Sequence, residues 1–165
     1  VNGVCGRVNI TIIAVGRLKE KYLVEACQEY LKRLRPLAKV KIVELRDEPL
    51  LSPGTALEDQ AKEVEASRIL AAIPPNVVIF ALDPHGLELS SEELASKLAT
   101  YSVKGQSHFC FIIGGGAGLA QTVLDHSTEI LSFSRLTFPH QLFRVMLLEQ
   151  IYRALKINRN EPYHR

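Results

Sequence analysis

The sequence predicts an α/β protein built on an open, mostly parallel sheet with helices on both faces. Three observations carry this reading. Strand-like and helix-like segments alternate from end to end in the order β-α-β-α-β-α-β-α-β-α, which is the signature of a layered α/β fold. Val77–Leu82 is a continuous apolar run, as a strand buried on both faces of a parallel sheet requires. Glycine, proline and Ser/Thr corners punctuate the segments where turns are needed.

Each element has its own local reason. Asn9–Val15 is a β-rich run ending at Gly16. Glu20–Leu34 carries Leu23, Ala26, Cys27, Tyr30, Leu31 and Leu34 at helical spacing and stops before Pro36. Lys39–Leu45 alternates Val40 and Ile42 against Lys39, Lys41, Val43 and Leu45, and reads as a second strand. Asp47–Gly54, with two prolines and a glycine, is a loop. Thr55–Ile73 is a helix whose Thr55 and Glu58 have capping-box spacing, closed by Pro74 and Pro75. Val77–Leu82 is the third strand, with Asp83-Pro84-His85-Gly86 as a loop at its carboxyl end. Ser90–Tyr101 is a helix opened by a second capping box, Ser90 with Glu93. His108–Ile113 is the fourth strand, Leu119–His126 a short helix, Ile130–Leu136 the fifth strand and Gln141–Ile157 the last helix.

Length and composition set the outer bounds. The chain has 165 residues, 47% hydrophobic and 23% charged, enough for one well-formed core and unlike a disordered segment. Residues 9–165 are expected to form a single domain, with residues 1–8 as an extension. No apolar run approaches the roughly 18 residues of a membrane helix, and the first residues lack the apolar stretch of a secretory signal, so a cytoplasmic location is expected. Cys5, Cys27 and Cys110 form no CxxC pattern and read as reduced thiols. The histidines lack metal-ligand spacing. Residues 1–43 carry nine Lys/Arg against three Asp/Glu, and residues 44–134 carry five against thirteen. Basic ends around an acidic middle suit a polyanion, or simply solvated helix faces.

Two strand ends draw attention. Phe109–Ile113 breaks into Gly114-Gly115-Gly116-Ala117-Gly118, and the fifth strand runs into Ser132-Phe133-Ser134-Arg135-Leu136-Thr137-Phe138-Pro139-His140. With Leu82–Gly86 they make three strand ends, and ligands of open α/β sheets collect beyond the carboxyl ends of strands. Glycines admit a ligand close to the backbone, which suits a nucleoside-like cofactor. The cluster lacks the Lys-Ser/Thr of a P-loop, and Leu119 stands where GxGxxG needs its last glycine. The last helix, with Leu142, Phe143, Val145, Met146, Leu147, Leu148, Ile151, Tyr152, Ala154 and Leu155, has almost no polar face. Such a helix must be covered on more than one side, so a homodimer interface is expected.

In order, these features closely resemble the RlmH family of SPOUT-class methyltransferases, bacterial enzymes of the large ribosomal subunit. The carriers are Ala14-Val15-Gly16, Leu82-Asp83 with Gly86, Ile113-Gly114-Gly115 with Gly118-Leu119, Ser132 to His140, Glu149-Gln150-Ile151-Tyr152-Arg153-Ala154, and Pro162-Tyr163-His164-Arg165. The resemblance implies a trefoil knot near the C-terminus, S-adenosylmethionine held within it, no metal, and a homodimer whose site draws on both chains. It implies 23S rRNA within the ribosome as partner, with no membrane or DNA partner, and methylation at N3 of a pseudouridine in helix 69. Cofactor contacts carried over by position fall on Leu82, Gly115, Ser134, Arg135, Leu136, Thr137, Phe138 and Pro139. One departure is that Gly116-Ala117 stands where the family often has Pro-Glu.

Methyl transfer from a sulfonium needs in-line positioning, and the weakly acidic N3–H must lose its proton. His140, Arg153, Tyr163, His164 and Arg165 are the catalytic candidates. His140 or His164 would accept the proton, and Arg153 and Arg165 would face phosphate or the developing ring anion. Each has a plainer alternative: a helix ion pair for Arg153 with Glu149, a helix cap for His140, a frayed tail for the last residues. Two other functions compete, a noncatalytic ribosome- or RNA-binding module on the same fold and a flavodoxin-like nucleotide-binding enzyme.

Overall fold

A computed structural model describes residues 7–49 and 52–163. The extension expected at residues 1–8 thus falls largely outside the described residues, as do Cys5, His164 and Arg165. Five parallel strands form one sheet in the order β2-β1-β4-β3-β5: β1 (Val8–Val15), β2 (Ala38–Leu45), β3 (Val78–Glu88), β4 (His108–Ile113) and β5 (Glu129–Ser132). The intervening helices are α1 (Lys21–Leu34), α2 (Ala56–Ala72), α3 (Ser91–Val103), α4 (Gln121–His126) and α5 (His140–Asn158).

Because side chains alternate along a strand, the sheet has two separate apolar faces. Ile10, Ile12, Ala14, Phe80, Phe109 and Phe111 meet Cys27 and Leu34 of α1, Leu94 and Leu98 of α3, and Leu147, Leu148, Ile151 and Ala154 of α5. Ile13, Val15, Ala81, Cys110 and Ile112 face Ala66 and Ile69 of α2 and Val123 of α4. The crossovers through α1 and α3 run one way along the sheet on one face, and those through α2 and α4 run the other way on the opposite face. All four therefore share one hand, as the twist of parallel strands demands. Cys27 and Cys110 are buried and free; burial pushes the Cys110 thiol up to about 12.

The sheet's two edges differ. β2 leaves Lys39 and Lys41 exposed. β5 is four residues long and is tied to α3: the Tyr101 hydroxyl donates to Glu129 Oε1 at 2.6 Å, and Lys97 Nζ lies 2.6 Å from Glu129 Oε2.

The capping box expected at Ser90 forms: Glu93 N–H donates to Ser90 Oγ at 3.1 Å and Ser90 N–H to Glu93 Oε2 at 2.6 Å. The one expected at Thr55 does not. Gly54, at φ +76°, turns its own N–H onto the Glu58 carboxylate, and Thr55 Oγ1 donates back to the Ser52 carbonyl at 2.7 Å. Two strand ends also need correcting. The expected loop at residues 83–86 is a bulge inside β3, since Leu82 and Leu87 both pair with Leu131 and the register shifts between them. The fifth strand stops at Ser132 rather than Leu136. There Ser132 Oγ donates to the Ser134 carbonyl and Ser134 Oγ accepts from Leu136 N–H, so local side-chain bonds replace the ladder.

Candidate active site

The carboxyl ends of β3, β4 and β5 converge on one cavity of about 560 Å³. The size falls in the range of pockets that enclose a cofactor-sized molecule. Three segments build its walls: Leu82 to His85, Ile113 to Leu119, and Leu131 to Phe143 in part. The middle segment is a tight turn in which Gly118 N–H donates to the Gly115 carbonyl at 3.0 Å, with Gly118 at φ +82°. A Cβ on Gly115 would stand 3.1 Å from Val15 Cγ1 and 3.3 Å from a Glu65 carboxylate oxygen. The backbone there is pressed against the β1 end and α2, so its polar groups form the wall.

Of the eight residues expected to touch a cofactor, Leu82, Gly115, Ser134, Leu136, Thr137 and Phe138 line this cavity; Arg135 and Pro139 do not. Leu136 is exposed, as an apolar residue at the open mouth. Asp83 Oδ1 accepts from the His85 backbone N–H at 2.9 Å and lies 3.2 Å from its ring Nδ1, so Asp83 shapes its own turn.

The expected catalytic residues divide into two places. His140, the first residue of α5, lines the cavity, and its ring lies beside Gly16, whose added Cβ would be 3.4 Å from Nε2. Pro139, not His140, is the N-cap, without a side-chain bond. Arg153 sits thirteen residues farther along α5, roughly 20 Å at 1.5 Å per residue. There Arg153 donates from Nε and Nη2 to Glu149 Oε1 at 3.0 and 2.7 Å, and its guanidinium lies 5.0 Å over the Tyr163 ring. Tyr163 also meets Tyr152 edge-on at 4.7 Å. The helix ion pair is thus made, and the tail lies on α5 rather than fraying away as far as Tyr163. His164 and Arg165 lie outside the described residues.

A buried carboxylate stands behind the glycine turn. Glu65 of α2 is 6% exposed and accepts from Glu48 N–H at 2.8 Å. Burial, above all, raises its pKa, opposed by that hydrogen bond and reinforced by Asp47 and Glu48. A folded-state pKa above the unfolded one means that the group's contribution to stability is full below the ordinary carboxylate range. It is lost as pH rises through the raised value. Glu65→Gln, which keeps an acceptor for Glu48, is therefore expected to match the wild type in acid and to exceed it by on the order of 1 kcal/mol at neutral pH. Urea titrations between pH 4 and 8 should show the gap opening upward; a constant gap contradicts the burial cost.

The reading of the strand ends missed Lys62 of α2 and Phe143 of α5, both of which line the cavity. Lys62 arrives from a helix distant in sequence, on a face that gives no periodic signal. Among the described residues no group of three or more His, Cys, Asp or Glu is placed to hold a metal, and no helix is long and apolar enough to cross a membrane.

Comparison with known proteins agrees with this architecture. The chain is 52% identical over 160 residues to the "Ribosomal RNA large subunit methyltransferase H" of Clostridium botulinum (strain Alaska E43 / Type E3), covering 95% of this chain and 99% of that one. It is 50% identical over 157 residues to the protein of the same name from Pelotomaculum thermopropionicum, covering 94% and 98%. Among solved structures, a probable methylase family protein from Haemophilus influenzae Rd KW20 superposes with a TM-score of 0.53 at 10% identity. That match covers 98% of this chain and 72% of that one, and speaks to the fold. The sequence profile described as "Predicted SPOUT methyltransferase" matches residues 8–164, and the chain belongs to the SPOUT methyltransferase family, among the ribosomal RNA large subunit methyltransferase H proteins.

Proposed function

We propose that this protein is an S-adenosylmethionine-dependent methyltransferase of 23S rRNA, acting on N3 of a pseudouridine in helix 69 of the assembled ribosome. The observation that carries it is the meeting of three strand ends around a cavity walled by glycine backbone and apolar side chains. Such walls suit an adenosine, with backbone N–H and C=O groups to read a base edge and no phosphate loop. The bound donor supplies an electrophilic methyl group on a sulfonium. The chain's part is to hold the acceptor nitrogen in line with that methyl, to exclude water through Leu136, Phe138 and Phe143, and to receive the N3 proton at His140 or His164. Arg135 and Pro139, though off the cavity wall, remain in this proposal as backbone positioning residues of the same loop. A trefoil knot formed by the segments from β4 to α5 belongs to the proposal too, as does one domain spanning residues 9–165.

The roughly 20 Å along α5 between His140 and Arg153 bears on assembly. Within one chain, Arg153 and Tyr163 cannot reach the methyl group, so the proposed enzyme is a homodimer in which one copy's cavity meets the other's Arg153, Tyr163, His164 and Arg165. The half-buried outer stripe of α5, with Val145, Met146 and Glu149, suits that contact. Subunit mixing tests it. His140→Ala and Arg153→Ala are each expected to lose activity on ribosomes. Co-refolded, they should recover about a quarter of wild-type turnover by random assortment, and no recovery refutes a shared site. Activity should also fall steeply with salt if Arg17, Lys19, Lys21, Lys32, Arg33 and Arg35 contact phosphates. Calorimetry with S-adenosylmethionine separates this reading from the noncatalytic module, which would give no heat of binding.

A further inference from the structure

We propose that Lys62 is an anion-binding residue of the cavity, taking a carboxylate or phosphate oxygen of whatever enters it; this rests on the methyltransferase reading above. Lys62 is the one lysine or arginine among the lining residues. Its helix offers it acids one turn back, at Glu58 and Asp59, the spacing at which helical ion pairs ordinarily form. It pairs with neither. The Glu58 carboxylate is taken by the Gly54 N–H, and Glu65, three residues on, is turned to Glu48 N–H. Among the described residues Lys62 therefore makes no ion pair, and its half-buried side chain lines the cavity.

The opposite wall leaves that charge unanswered. The turn facing α2 carries Gly116 and Ala117, neither able to neutralise an ammonium, and the lining carboxylate Asp83 is engaged by His85. A cation lining a concave site attracts an anion more strongly than one on an open surface. Two sources fit. The donor ends in an α-amino-acid carboxylate, and the RNA brings phosphates.

Calorimetry on Lys62→Met with two nucleosides tells them apart. S-adenosylhomocysteine carries the carboxylate; 5′-methylthioadenosine has the same adenosine and thioether but none. If the carboxylate is the ligand, the variant binds S-adenosylhomocysteine about tenfold more weakly and 5′-methylthioadenosine as the wild type does, and Lys62→Arg restores much of the loss. If a phosphate is the ligand, both nucleosides bind normally and KM for the large ribosomal subunit rises about tenfold with a flatter salt dependence. Equal loss on both nucleosides, or no change in any of the three measurements, overturns the assignment. Wild-type protein that binds neither nucleoside would instead remove the methyltransferase reading, and Lys62's role with it.

Discussion

Replacing Gly86 by alanine is expected to lower stability by about 3 kcal/mol and to abolish donor binding. An alanine Cβ at that position would sit 2.6 Å from the Leu131 carbonyl carbon and 2.8 Å from both the carbonyl carbon and oxygen of Ile130. All three atoms are backbone, so no rotamer change relieves the clash and β5 itself must move. The bulge at residues 83–86 brings β3 back onto β5 here, with Leu87 and Glu88 re-pairing to Leu131 and Ser132. Those same residues lead into the loop that walls the cavity. Displacing them spoils the site together with the fold, unlike a substitution that merely removes a contact. Denaturant unfolding and calorimetry on the variant check both halves. Wild-type stability would mean that β5 yields freely, and the rigid wall attributed to it would have to be abandoned.

Arg144→Met should cost a similar amount, about 3 kcal/mol, while Glu44→Gln costs 1 kcal/mol or less. Arg144 is 2% exposed. Its Nη1 donates to Glu44 Oε2 at 2.9 Å and its Nη2 to the Gly16 carbonyl at 3.0 Å, leaving Nε without a partner among the described residues. Methionine fills much of the volume but leaves that carbonyl unanswered. The Glu44 side chain is 42% exposed, so losing its charge leaves Arg144 still bonded to Gly16. The asymmetry is the test: equal losses in the two variants would show that the ion pair, and not the carbonyl anchor, dominates. His140, one turn before Arg144, borders the same glycine. Turnover should accordingly drop further in Arg144→Met than in Glu44→Gln even at temperatures where both remain folded.

These residues also mark where the sequence is legible. Periodicity, continuous apolar runs and the caps and prolines between them together locate the ten elements, because apolar patterning records burial. Ser90 and Glu93 announce a cap that forms, since both groups belong to one turn. Thr55 and Glu58 have the same spacing, yet a positive-φ glycine just before them supplies a competing donor, which spacing alone does not reveal. Ser132 and Ser134 end β5 early for the same kind of reason: short polar side chains capture the backbone. The cavity follows from the three strand ends, but Lys62 and Arg144 do not. One comes from a helix far from two of those ends, Lys62 standing 51 residues before Ile113 and 70 before Ser132. The other hides a buried cation inside a run of apolar residues. The cavity around Lys62 and the partners of Arg144 are tertiary, so no local pattern encodes either residue.

Finally, the two margins of the sheet limit how this molecule can associate. Along one, Lys39 and Lys41 project from β2; along the other, β5 is only four residues long and is flanked by the Tyr101–Glu129–Lys97 cluster. Cationic fringes and stubby borders both discourage lateral recruitment of a foreign strand. Copies of this chain are consequently steered away from ribbon-like growth along their sheet margins.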